Sequence, residues 1–408
     1  MSARATAVER VVTACPRDCY DACGVVVLRR ADGRPIVRGD PDDPISRGKL
    51  CKKCSSAYNG VLLDSKARLS VPLRRVGQKG GGRFSAVSWD DALAEIAERL
   101  KLIVAEHGGS TVLNAHYTGT FAMIGYHFPL RFFHRLGATE IDPDSVCNKA
   151  GHVALDYLYG TSLEGFDPRS ARDARSIVVW GANPSASAPH QHEHWLSEAP
   201  GTVIVVDPLR TETARQADLH LQPRPGTDAA LAFALLHVLW RDGLLNGEFI
   251  DAHTSGFEEL RPAIEGCSPD WGEQATGVSE GAIEQAAHIY GEGPSLLWIG
   301  QGLQRQPMGG NVVRSVALLP AVTGNLGRPG GGFLYLNGIE TRGIDGDYLS
   351  GRQLAEGDPP VISQMDLVRR LEDPDKAKSL FCWNINIAAS SPDQGRLRQV
   401  LCREDLLT

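Results

Sequence analysis

The sequence predicts an α/β fold in which a small cysteine-rich module precedes two Rossmann-like parallel α/β domains. Three observations carry that expectation. Short β-branched runs, STVLNAHYTG, ARSIVVWGANP, GTVIVVDPLR and SLLWIGQGLQ, each run into a glycine, asparagine or proline turn. Helical stretches such as TDAALAFALLHVLWRDG lie between them, the alternation of parallel strands joined by right-handed crossovers. The first 66 residues are turn-rich and hold Cys15, Cys19, Cys23, Cys51 and Cys54 out of nine cysteines.

Taken in chain order, VVVLRRADGRPIVRGDPDDP predicts a hairpin with Asp32-Gly33 as its turn. A glycine-rich connector, GQKGGGRF, closes the module. VSWDDALAEIAERLKLIVAEHGG then predicts a helix. Ser88 and Asp91 have capping-box spacing, Ala92, Ile96, Leu100 and Ile103 recur on one face, and Gly108 ends it. In the parallel sheets that follow, ligands are expected at the carboxyl ends of the strands, so the turns after the strands are the places to search.

With 408 residues the chain can bury a large core and hold more than one domain. A formal charge of −7 excludes broad nucleic-acid binding, which needs a basic face. No run of 18 apolar residues is present, so no membrane span is expected. The start, MSARATAVERVVTACP, has neither an apolar signal core nor an Arg-Arg pair, and the expected location is cytoplasmic. Cysteines in such a compartment are read as metal or catalytic residues rather than disulfides.

Two readings of the N-terminal cysteines compete. Cys15, Cys19, Cys51 and Cys54 form a C-x3-C…C-x2-C set suited to tetrahedral zinc, which leaves Cys23 unused. Cys15, Cys19, Cys23 and Cys51 instead form a tight run plus a distant fourth, the pattern that wraps a [4Fe–4S] cube, and the spacing fits this better. Further along, Gly181, Asn183 and Pro184, then Asp207 and Arg210, then Gly300, Gln301 and Gly302, follow strands, and Gly226, Thr227 and Asp228 open a helix whose N–H groups can receive phosphate. Each such turn alone is ordinary turn chemistry. PHQHEHW places His190, His192 and His194 close together, but after Pro189 it reads as a helix start on a polar surface, not a metal site.

ACPRDCYDACG, DPDDPISRGKLCKKC and FSAVSWDDALAEIAERL follow one another as in the molybdopterin oxidoreductase family, which includes formate dehydrogenase and dimethyl sulfoxide reductase, and the whole chain resembles the N-terminal portion of such a protein. The resemblance implies a [4Fe–4S] cluster on Cys15, Cys19, Cys23 and Cys51, and makes Lys53 a cation between cluster and pterin; Cys54 stands where the family has glycine. It makes Cys147, in DPDSVCNKAGHVALDYLYG, the protein ligand to molybdenum or tungsten, a role suited to a soft thiolate. Formate dehydrogenases carry histidine after that ligand; here it is Asn148, which takes up no proton near neutral pH. Arg314 stands as the counterpart of the active-site arginine. The strand-end turns would hold one molybdopterin guanine dinucleotide of a bis-molybdopterin pair, with Asn386 near the second.

The resemblance further implies domains at 8–66 (cluster), 67–142 with 317–408 (second-pterin side, truncated) and 143–316 (first dinucleotide), with the C-terminal nucleotide-capping domain absent, so the chain reads as a fragment. The implied function is an oxidoreductase passing electrons between a small-molecule substrate at the metal and the cluster, with an electron acceptor or donor protein that the sequence does not identify. A non-redox hydratase or hydroxytransferase, a molybdenum-free electron-transfer subunit and a zinc-stapled binding module are the alternatives.

Overall fold

A computed structural model describes residues 9–408 apart from 18, 31–32, 120–122 and 337–342. Strands β1 (Glu9–Ala14), β2 (Gly24–Arg29) and β3 (Pro35–Gly39) form an antiparallel sheet in that order. Asp32 of the expected hairpin turn lies outside the described residues. Cys15 N–H bonds Cys23 O at 2.8 Å, so the loop between β1 and β2 begins and ends on a cysteine. Cys51 begins the helix Lys52–Tyr58.

A small ribbon, β4 (Leu73–Arg75) with β5 (Phe84–Ala86), leads into the helix Trp89–His107. Ser88 Oγ accepts Asp91 N–H at 3.1 Å, and Gly108 ends the helix with φ +82°, as the capping residues require. Only its C-terminal half packs inward: Leu100 is buried, whereas Ile96 is exposed.

The chain then forms β6 (Val112–His116) and β7 (Thr139–Asp142), crosses to β8 (Ser176–Trp180), β9 (Thr202–Val206), β10 (Leu219–Leu221), β11 (Ser295–Ile299) and β12 (Gly332–Leu334), and returns for β13 (Val361–Ser363) and β14 (Ser379–Trp383). Two parallel sheets result, β13-β7-β6-β14 and β10-β9-β8-β11-β12. β6, β8 and β11 are buried along their whole length, which is why β8 and β11 read as near-continuous apolar runs rather than alternating ones, while β6 also buries Asn114 and His116. Helices cover both faces. Asp228–Arg241, Glu280–Gly291 and Gly309–Val322 pack Leu231, Ile283 and Val313 on one side of the larger sheet, with Leu196, Val205 and Trp298 on the other.

The sequence reading put a domain boundary after residue 316, and the structure runs one helix across that point. The helix Gly309–Val322 has its buried face in the larger sheet's core, and β12 pairs with β11 through Leu297 and Phe333. Residues 317–334 therefore stay with the larger sheet, because helix and strand bury one continuous apolar surface.

Candidate functional site

Cys15, Cys19, Cys23, Cys51 and Cys54 line one cavity of about 170 Å³ together with Arg17, Lys53, Thr118 and Gly119. Burial pushes the Cys19 thiol up to about 11 and Cys54 up to about 12, and raises Cys23 further. Converging sulfurs that resist ionisation on their own suit a cationic iron core, which would neutralise them. Cys23 lines the cavity with the other four, so the zinc reading that left it unused is not what the geometry supports. Cys54 Sγ sits 3.4 Å from Cys15 Sγ, and sulfur positions alone do not separate it from the other four.

The cavity opens at the carboxyl ends of both parallel sheets. Thr118 and Gly119 follow β6, and Gly119 N–H bonds the carbonyl of Asn384, just after β14, at 3.1 Å. On the other side Lys53 Nζ donates to Ala186 O at 3.0 Å, in the short helix Pro184–Ser187 beyond β8.

Cys147 ends a 3-10 turn after β7 and is half-buried. Its Sγ donates to Gln301 Oε1 at 3.6 Å, and Arg305 Nη2 lies 4.0 Å from it; both follow β11. The thiol thus stands between the strand ends of the two sheets. Tyr117 OH donates to Asp144 Oδ1 at 2.9 Å and also bonds Cys147. Burial raises the Asp144 carboxyl above the usual range. Gln304 clamps the turn from below, with Nε2 on Cys147 O at 2.6 Å and Oε1 accepting Gly151 N–H at 2.7 Å. Tyr335 OH donates to Asn148 O at 2.9 Å while its carbonyl accepts Tyr20 OH at 3.0 Å, so a continuous chain of contacts joins the cysteine loop to the Cys147 turn.

Arg314 is not part of this arrangement. It is exposed on the helix Gly309–Val322 and lines a separate groove with Tyr157 and His253. Gly310 of that helix lies against Ala150, and Arg314 is carried a turn further along the surface. Arg305 is the guanidinium at Cys147, and sequence reasoning missed it because nothing local marks an arginine three residues past Gly302.

The glycine turns are explained first by packing. A Cβ on Gly300 would fall 2.0 Å from Gly181 O, and one on Gly302 2.8 Å from the same oxygen, so the ends of β8 and β11 touch backbone to backbone. Gly181 also has φ +64°. Asn183 Oδ1 accepts from Thr213 Oγ1 at 2.9 Å and Ser185 Oγ at 2.7 Å, and Pro184 is buried. Asp207 Oδ1 accepts Leu209 N–H at 2.8 Å, burial raises its carboxyl, and Arg210 beside it is exposed. Gly226 has φ +90° and Thr227 Oγ1 turns back to Arg224 O at 2.7 Å. Asp228 is buried with its oxygens taken by Trp180 Nε1 at 2.9 Å and Gln306 Nε2 at 3.1 Å, so it braces the turn from inside. Asn386 is exposed beyond β14 and starts a short helix.

A pterin fits beside Asn148 and Gln306. Asn148 Oδ1 and Gln306 Oε1 are buried acceptors with no hydrogen-bond partner among the described residues, and amine or ring N–H groups would satisfy them. The segment PHQHEHW does start a helix, but the polar-surface reading needs correction: His190, His192 and His194 are all buried, and His190 lies against Cys23 and Asp21 of the cysteine lobe. Arg47 stacks over Trp195 at 4.5 Å and pairs with Glu198 at 3.0 Å, and Lys49 pairs with Glu193.

Paired parallel sheets with a cysteine-lined lobe at their strand ends define a protein that holds an iron–sulfur centre beside a nucleotide-bearing cofactor. The chain belongs to the molybdopterin oxidoreductase family: residues 68–406 match its molybdopterin oxidoreductase model and residues 8–62 its Fe4S4 domain, so the cofactors are molybdopterin and a [4Fe–4S] cluster. It is 33% identical over 404 residues to Probable oxidoreductase YoaE of Bacillus subtilis, covering 97% of this chain and 58% of that protein. Formate dehydrogenase H of Escherichia coli is 32% identical over 347 residues, covering 79% and 46%. The fold matches acetylene hydratase from Pelobacter acetylenicus with a TM-score of 0.76 at 21% identity, covering 97% of this chain and 60% of that one. The chain thus spans about half to three-fifths of the length of these proteins. Among the described residues no helix is long and apolar enough to cross a membrane.

Proposed function

We propose that this chain forms the cluster and first-pterin part of a molybdenum or tungsten bis(pterin) oxidoreductase. The observation that carries it is the placement of Cys147 between the strand ends of both sheets, joined through Tyr335 and Tyr20 to the loop that carries Cys19 and Cys23. When bound between these residues, the metal centre would supply two-electron chemistry on a small substrate and the cluster one-electron transfer.

The chain's own residues do the rest. Cys15, Cys19, Cys23 and Cys51 are the proposed iron ligands and Cys147 the proposed metal ligand. Lys53 places a cation between two anionic cofactors, which lowers the cost of holding them close. Arg305 offers a guanidinium to an anionic substrate beside Cys147. Asn148 holds no proton for exchange, so proton handling falls to the Tyr117–Asp144 pair, already hydrogen-bonded at this sulfur. Formate remains one anionic substrate to assay, without the histidine that formate dehydrogenases carry.

The test is anaerobic preparation of the full-length protein with metal and pterin analysis. About four irons and one molybdenum or tungsten per chain are expected. Substrate-dependent reduction of a dye acceptor supports the redox reading. Turnover with no acceptor would reassign the protein to the hydratases, and iron without molybdenum or tungsten to electron-transfer subunits.

A further inference from the structure

His190 is 3% exposed and its Nδ1 lies 3.0 Å from Cys23 Sγ, across 167 residues of sequence. The same nitrogen is 3.3 Å from Asp21 Oδ2. Asp21 is 1% exposed, and its carboxylate accepts the backbone N–H groups of His190 at 2.9 Å and Gln191 at 3.0 Å. Gln191 Nε2 donates to Tyr20 O at 2.5 Å and fixes the segment against the cysteine loop. Cys23, Asp21 and His190 therefore form a buried trio whose polar atoms lie within 4.8 Å of one another.

We propose that His190 tunes the reduction potential of the cluster by donating its Nδ1–H to the sulfur of Cys23, against the opposing charge of Asp21. The inference rests on Cys23 being an iron ligand. Nδ1 faces a sulfur and a carboxylate oxygen, both acceptors, so the tautomer that avoids clustered lone pairs carries its proton there. A hydrogen bond to a ligand sulfur draws charge from the cluster and makes an added electron more favourable. A buried carboxylate beside the same sulfur does the reverse. His190 is thus a positioning residue that acts through Cys23, and the two groups hold the potential between opposite pulls.

The test is an EPR-monitored redox titration of the intact holoprotein after iron analysis. His190→Phe, which keeps a ring without a donor, is expected to move the midpoint to more negative potential. Asp21→Asn is expected to move it the other way. Opposite signs are not what a general loosening of the lobe would give. An unchanged midpoint in His190→Phe with full iron overturns the proposal. Should that variant lose its cluster, the decision passes to the wild-type protein labelled with 15N-histidine. Pulsed EPR of its reduced cluster should show a weak histidine nitrogen coupling and an exchangeable proton. No coupling, or the strong coupling of a directly bound nitrogen, overturns the proposal. Wild-type protein without iron would sink the ligand assignment, and this inference with it; iron present without a shift sinks only the inference.

Discussion

Lys53 donates from Nζ to the carbonyl of Ala186 at 3.0 Å, so one side chain bridges the cysteine cavity and the turn that follows β8. The ammonium is exposed, yet this bond holds it at the rim of the cysteine cavity rather than leaving it to swing freely.

Lys53→Ala should therefore keep its iron but lose electron flow. Turnover with a dye acceptor is expected to fall about tenfold, the effect of roughly 1.4 kcal/mol on the barrier. Stopped-flow reduction of the cluster by substrate checks it, and a rate within twofold of wild type would remove Lys53 from the path.

Cys147→Ser should separate the two inorganic centres. Iron is expected to stay near four per chain, because the cysteine lobe is built from other residues. Molybdenum or tungsten content and substrate turnover should fall together. Full turnover in the serine variant would end the assignment of Cys147 as ligand.

Arg305 and Arg314 make opposite predictions. Losing a charge-assisted contact costs about 1.5–3 kcal/mol, so Arg305→Ala should raise KM for an anionic substrate roughly ten- to hundredfold. Arg314→Ala should change it less than twofold, since it faces the groove with Tyr157. The reverse result would return the substrate role to Arg314.

Gly300→Ala should destabilise the junction of β8 and β11, because the new methyl meets Gly181 O at 2.0 Å. Overpacking of this kind costs about 1–3 kcal/mol. Gly395→Ala, in the helix Gln394–Val400 with no atom within 4 Å of the new methyl, should be neutral or slightly stabilising. Thermal unfolding of the two variants side by side reads the contrast.

His116 gives a pH dependence with a definite sign. Burial lowers its pKa from 6.5 to about 4, against the opposing pull of Glu140 and Asp142 and alongside His127 and His134. The unfolded chain takes the proton first, so this stability is fully present above pH 6.5 and is lost as pH falls towards 4. At most about 3 kcal/mol is at stake. The ring stacks on Trp383 at 4.6 Å, so His116→Phe should keep the stacking and flatten the acid limb of a denaturant midpoint-versus-pH curve. An unchanged limb would show that other groups govern it.

Much of the frame was legible because it is written locally. Apolar runs ending in turns marked β6, β8, β9 and β11, and Ser88 and Gly108 marked the ends of one helix. The module's cysteines and the Cys147 turn were legible from spacing and motif order. Ile96 misled because helical periodicity names a face without saying what covers it. Asp228 and Asn183 show a related limit of local reading: a polar residue in a turn or at a helix start looks the same in sequence whether or not its oxygens are bonded within the protein, as theirs are here.

By itself, the sequence determined an α/β chain with a cysteine lobe ahead of two nucleotide-type sheets, since spacing and periodicity are properties of neighbouring residues. Only the tertiary structure decided that β12 joins the larger sheet, that Arg305 rather than Arg314 meets Cys147, and that His190 reaches Cys23. Those meetings depend on sheet order and helix packing, which bring together residues far apart in the chain through many weak contacts at once, and no single stretch of sequence records them.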